Sequence, residues 1–120
     1  MNAEFAYIFA RLRGIVVAHE EGLKVSANGP AHYCVDVPFS AKFKKGYPVV
    51  WVKVGKNYVS YHFMPVYMFP KLREGMSEKL RARMQGKACF NFKTRDDGLF
   101  EELSDLTAKG FLMGREAGFV

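Results

Sequence analysis

Four side chains able to serve as nucleophile, base or soft metal ligand lie on separate stretches of the chain: His32, Cys34, His62 and Cys89. A thiol beside an imidazole can pass its proton across and attack an electrophile, and the same pair can hold a borderline metal. Linear spacing does not tie the four together. There is no CxxC pair, Ser60 has no GxSxG setting, and His19-Glu20 has no HExxH partner. Gly86-Lys87 lacks both the upstream glycine and the downstream Ser or Thr of a phosphate loop. Cysteines without such spacing serve most often as small hydrophobes, so Cys34 and Cys89 read as reduced thiols, and any convergence of the four depends on the fold. A different chemistry is offered by Asp97, Glu101 and Asp105, whose i, i+4, i+8 spacing puts three carboxylates on one side of a helix. They could hold a hard cation through oxygen ligands. The plainer reading is a solvated face, with acids near a helix N-terminus favoured by the macrodipole.

The elements that must position these residues follow from hydrophobic period. Phe5, Ile8, Phe9, Leu12 and Val16 recur at helical spacing, giving a first amphipathic helix that Gly22 is expected to end. From Leu23 to Val37 a strand pair turns at Asn28-Gly29-Pro30, with Tyr33, Val35 and Val37 on one face and His32, Cys34 and Asp36 on the other. The lysine-rich stretch 38–46 breaks the alternation. A hairpin of Val49–Val54 and Tyr58–Phe63 follows, turning at Gly55-Lys56-Asn57. Pro65 and Pro70 punctuate an insertion with helical turns expected near Val66–Arg73 and Glu78–Gln85, the second capped by Ser77. Lys87–Lys93 alternates as a last strand, with Ala88, Phe90 and Phe92 inward. A closing helix begins near a Thr94…Asp97 capping box and carries Leu99, Leu103, Leu106 and Gly110 on one side.

These elements predict a single α+β domain over residues 1–120: a two-layer sandwich with both terminal helices on one face of a mostly antiparallel sheet of about five strands. The helix-free face then carries His32, Cys34, Asp36, Trp51, Lys53, Tyr58, Ser60, His62, Cys89, Asn91 and Lys93. No apolar run reaches the ~18–20 residues of a membrane helix, and Glu4, Arg11 and Arg13 interrupt the first apolar stretch where a signal peptide would be continuous. A cytoplasmic protein without a membrane partner is expected.

The 120 residues carry a net +6, unevenly distributed. Residues 42–95 hold thirteen Lys and Arg against two Glu, a net +11, between acidic ends. With Trp51, Tyr58, Tyr61, Phe90 and Phe92 on strands, this could be a nucleic-acid platform of cations and stacking rings. The lysines are dispersed over several elements and no recognition helix or RNP signature is present, so a solvated basic surface is the preferred reading. Met64, Met68, Met76 and Met84, with Phe63, Tyr67 and Phe69, make a soft apolar region fit for an adaptable pocket or for packing the insertion on the sheet edge.

Three segments carry a family resemblance: Lys56-Asn57-Tyr58-Val59-Ser60-Tyr61-His62-Phe63-Met64-Pro65-Val66-Tyr67, Met84-Gln85-Gly86-Lys87-Ala88-Cys89-Phe90-Asn91-Phe92, and Leu99-Phe100-Glu101-Glu102-Leu103. In these the chain resembles the small YdhG-like domains of unknown function. The resemblance implies a compact helix, sheet and helix layout, and the wider family includes a branch described as frataxin-like, a carrier of iron. Here the first helix offers only Glu4, Glu20 and Glu21, and the chain is basic, unlike an iron-carrying acidic surface.

The expected function is therefore that of a non-catalytic binding or interaction module without a cofactor. Its small-molecule ligand or protein partner meets the helix-free sheet face through Trp51, Lys53, Tyr58, His62, Asn91 and Lys93. Iron carriage through Asp97, Glu101 and Asp105 is one alternative and nucleic-acid binding through the basic middle is another.

Overall fold

The computed structural model describes residues 2–120. Asn2 caps the first helix, α1 (Ala3–Val17), by accepting from the Phe5 amide at 2.7 Å, and the helix buries Phe5, Ile8, Phe9, Leu12 and Val16. It stops before the glycine expected to end it. The chain leaves through successive turns after Val16, and Gly22, at φ +79°, supplies the left-handed residue that redirects it into the sheet.

Among the described residues six strands form one antiparallel sheet: β1 (Lys24–Asn28), β2 (His32–Ser40), β3 (Lys45–Val54), β4 (Val59–Phe63), β5 (Met84–Gln85) and β6 (Cys89–Phe92), in the order β1-β2-β3-β4-β6-β5. Between β4 and β5 lie three short helices, α2 (Met64–Met68), α3 (Pro70–Glu74) and α4 (Glu78–Arg81), and the chain closes with α5 (Asp97–Glu116). The architecture is the expected α+β sandwich, with one more strand than the alternation revealed. β5 is only two residues long, too short to show a period. It lies where the sequence suggested a helix to Gln85, because Met84 and Gln85 find their backbone partners on β6.

Strand limits differ at the β2–β3 connection too. Pro38 and the lysines around it hide a ladder that runs on to Ser40 and restarts at Lys45. The pairing also jumps from Val35↔Val50 to Asp36↔Pro48, leaving Val49 as an extra residue, so that Val49 and Val50 are both fully buried. This bulge lies toward the lower end of β3 and leaves the phase of Trp51 and Lys53 as expected.

The core lies between the sheet and the pair α1 and α5. Tyr33, Val35, Val50, Val52, Val59, Tyr61, Phe63, Phe90 and Phe92 meet Ile8, Leu12 and Val16 from α1 and Phe100, Leu103 and Phe111 from α5, in one contiguous cluster. Full burial of each such side chain contributes about 1.5–3 kcal/mol against leaving it in water. The buried Tyr61 hydroxyl and Thr107 hydroxyl bond at 2.8 Å, and Thr107 also donates to the Leu103 carbonyl, so neither strand nor helix leaves a polar atom bare there.

α5 starts from Asp96, not Thr94: the Asp96 carboxylate accepts from the Leu99 amide at 3.1 Å. Asp96 has the side-chain length to cap without a reciprocal glutamate. Ser77 caps α4 as expected, and its amide and hydroxyl donate to the Glu102 carboxylate at 2.8 and 2.6 Å, which fastens the insertion to α5. Among the described residues, no helix is long and apolar enough to cross a membrane.

Gly110 sets how closely α5 approaches the β4–α2 junction. A Cβ there would fall on the Phe63 ring, 2.7 Å from Cζ, and 3.0 Å from Pro65 Cβ. Gly110→Ala is therefore expected to destabilise the fold by about 1–3 kcal/mol through overpacking, against the gain in helix propensity. Urea unfolding measures it, and an unchanged or raised midpoint would show that the helix can withdraw freely.

Candidate functional site

Alternation along each strand sends every second side chain away from α1 and α5, and antiparallel register lines these residues up across the sheet. One row runs Cys34, Trp51, His62, Cys89 through β2, β3, β4 and β6. The next runs His32, Lys53, Ser60, Asn91. Of the four dispersed candidate ligands, register puts Cys34, His62 and Cys89 in one row and leaves His32 one row away.

In the first row the Trp51 and His62 rings stack, with centroids 3.6 Å apart and planes 5° from parallel. The imidazole is held in its own plane from both sides: Nδ1 lies 2.9 Å from Cys89 Sγ and Nε2 lies 3.3 Å from Met64 Sδ. A thioether sulfur accepts but cannot donate, so the ring proton belongs on Nε2, facing Met64. Nδ1 is then the free acceptor, and the Cys89 thiol donates to it. Burial against Trp51 and the strands lowers the His62 pKa to about 4 and raises that of Cys89, so the pair rests as neutral imidazole and neutral thiol. Cys34 is also raised, first by burial, with the Asp36 carboxylate adding to it. Both cysteines are free.

Beside this pair the sheet surface drops into a groove of about 390 Å³ lined by His62, Met64, Tyr67, Gln85, Gly86, Lys87, Ala88 and Cys89. α2 builds one wall because it follows β4 without a linker, which brings Met64 to the edge of the His62 ring and Tyr67 onto the same groove. The β5–β6 turn builds the other, with Gly86 at φ +76°. Tyr67 is half exposed at 53%, and the Lys87 ammonium lies 5.7 Å from its ring centroid. The soft region around the two prolines thus serves both suggested roles, with Phe63 and Met76 in the core and Met64 and Tyr67 on the groove.

The expected site residues are only partly gathered. Trp51 and His62 form the stack. Asn91 stands in the adjacent row, but its amide is committed, donating to Gln85 at 2.6 Å and accepting from Ser60 at 2.8 Å. Lys53 is exposed in that row and forms no ion pair among the described residues. Tyr58 and Lys93 fall just outside β4 and β6, at the hairpin end of the sheet, away from the groove. Lys93 instead borders a separate hollow with Lys79, Arg83 and Asp96. The expected binding set leaves out Cys89, Met64, Tyr67 and Lys87, although the sequence offered Cys89 as a candidate nucleophile and Met64 and Tyr67 as part of an adaptable pocket. Cys89 shares the His62 phase, which was the available signal; the other three depend on how the insertion folds back.

Asp97 does not present a free ligand. Tyr7 donates to it at 2.7 Å, Arg11 at 2.7 Å and Arg95 at 3.0 and 3.1 Å, and these partners hold its carboxyl below the usual range. Two guanidiniums on one carboxylate leave little attraction for a cation, and among the described residues no three His, Cys, Asp or Glu side chains gather as a metal set. The stacking platform for nucleic acid is likewise reduced, since Tyr61, Phe90 and Phe92 are 0, 0 and 1% exposed.

The folded His62 takes a proton near pH 4, whereas a free imidazole takes one near ~6.5. Between these values the unfolded chain binds more protons, so stability should be full above about pH 6.5 and fall progressively toward pH 4. His62→Gln should remove this limb: urea midpoints at pH 7.5, 5.5 and 4.5 should drop further in the wild type than in the variant. Parallel profiles would show that His62 is not held neutral. No family model, no curated protein and no solved structure matches this chain.

Proposed function

We propose that this protein is a small, non-catalytic binding module whose ligand or partner seats on the helix-free sheet face. The seat lies at its β4–β6 end, in the open groove between α2 and the β5–β6 turn. One observation carries the reading: a 390 Å³ concavity on the face that the helices leave open, walled by Met64, Tyr67 and the stacked His62. Its volume lies in the range of small-ligand sites, and apolar or aromatic walls with a few polar atoms are what such sites present. Tyr67 and Met64 supply contact area, Lys87 supplies a cation, and Gln85 supplies its amide NH2 group, its oxygen being held by Asn91. The resemblance to YdhG-like domains implies the same compact helix, sheet and helix layout. Two free thiols favour a reducing, cytoplasmic setting.

Iron carriage is the weaker reading because Asp97 is already taken by Arg11 and Arg95. Nucleic-acid binding loses three of its five rings to the core.

Indole and para-cresol are suitable probes, being neutral, aromatic and small enough for the groove. Titrated into the labelled protein, they should shift amide signals of Met64, Tyr67, Gly86 and Cys89 together with the single Trp51 indole N–H, saturably. Tyr67→Ala should weaken that binding about tenfold. Shifts that map to α1 and α5, or that scatter without saturation, would reject the site.

A further inference from the structure

We propose that Cys89, with His62 as its base, captures an uncharged α,β-unsaturated carbonyl ligand in the groove as a covalent thioether. This rests on the groove being the binding site and names the class of ligand it takes. Cys89 lies on the groove wall with its sulfur 2.9 Å from His62 Nδ1, the nitrogen left without a proton because Nε2–H faces the Met64 thioether. The stack on Trp51 fixes the ring plane, so the bare nitrogen stays aimed at the thiol. A base in hydrogen-bond contact with a thiol, itself oriented by a third group, is the arrangement that activates a nucleophile.

The step is an addition in which nothing leaves. The Sγ–H proton passes to His62 Nδ1 as a sulfur electron pair forms the bond to the ligand's β-carbon. The alkene pair shifts toward the carbonyl as an enolate, and the imidazolium then returns its proton to the α-carbon. The net result is S–H added across one C=C, with no oxidant and no second reactant. Among the described residues Lys87 is the only charged side chain on the groove wall, and it would meet the oxygen on which negative charge develops. The remaining wall is neutral, which suits an uncharged ligand, and low resting ionisation of the thiol means the base must act during attack. Metal capture fits less well: Nδ1 and Nε2 point apart, so Cys89 and Met64 cannot close on one ion through a single ring nitrogen.

Cys34 is a built-in control, a free thiol in the same row but with the Asp36 carboxylate in place of an imidazole. Incubation of the full chain with acrylamide at pH 7, followed by peptide mass spectrometry, reads both thiols in the same molecules. Cys89 should be alkylated about tenfold faster than Cys34, well short of the ~10²–10⁴ supplied by a base whose pKa lies near the working pH, because burial makes His62 a weak base. In His62→Gln the ratio should fall toward one with the Cys34 rate unchanged. Equal rates in the wild type, or an unaltered ratio in His62→Gln, overturn the proposal.

Should the variant unfold, both rates rise together and the wild-type pH profile decides. The titratable groups beside Cys89 are His62, Tyr67 and Lys87, and Asp36 stands beside Cys34. The rate ratio should hold from about pH 5, above which His62 is neutral, fall as pH drops toward 4, and narrow above pH 9 as both thiols ionise without help; a ratio independent of pH overturns the role of His62. Saturable indole binding in the groove with equal thiol rates removes the covalent step alone, whereas loss of both removes the binding site as well.

Discussion

The sheet has to hide one side of every strand against α1 and α5, and a two-residue side-chain period then dictates what the other side shows. Tyr33, Val52, Tyr61 and Phe90 stand side by side in the buried layer, so Cys34, Trp51, His62 and Cys89 stand side by side one residue out of phase. A slip of one residue on β4 alone would bury His62 and expose Tyr61, separating the imidazole from both Trp51 and Cys89. The packing that stabilises the core thus also holds the groove chemistry in line, through Val59, Tyr61 and Phe63 on the same short strand.

The insertion turns that row into a concave site. Met64 reaches the His62 ring edge and Tyr67 lines the same groove because α2 begins at the residue after β4, and Gly110 lets α5 lie close to Phe63 and Pro65. Arg73 donates to the Val66 carbonyl at 2.7 Å, and Ser77 is held by Glu102, so the three short helices are tied at both ends despite being too short to be stable alone. The asymmetry of charge finds much of its use here. Lys79 meets Asp96, and Arg95 meets Asp97, so the basic middle of the chain is partly answered by the acidic start of α5. Such exposed pairs contribute little stability each. They do withdraw the best carboxylate of the predicted acidic row from cation binding.

Most of the scaffold was legible because it is written in period. Phe5 to Val16, Tyr33 to Val37, Val59 to Phe63 and Leu99 to Leu106 each repeat often enough to reveal both element and buried face. The misreadings fall where period is too short or competing signals are present: β5 with two residues, the ladder hidden behind Pro38, and the cap of α5, expected at Thr94 and made by Asp96. Tyr58 and Lys93 were in phase with the open face but lie beyond the last paired residues, where alternation no longer fixes direction.

Residue types and spacing alone determined the α+β class, the two helices on one face, and the open-face set that includes Trp51, His62 and Cys89. Tertiary structure alone decided that Cys89 Sγ meets His62 Nδ1, that Met64 takes Nε2–H, and that Tyr67 and Lys87 close a groove beside them. The physical reason is the difference between local and non-local order. Period reports which side of an element is apolar, whereas a thiol and an imidazole 27 residues apart come within 2.9 Å only through strand register and the path of the insertion. Neither leaves a mark in sequence spacing.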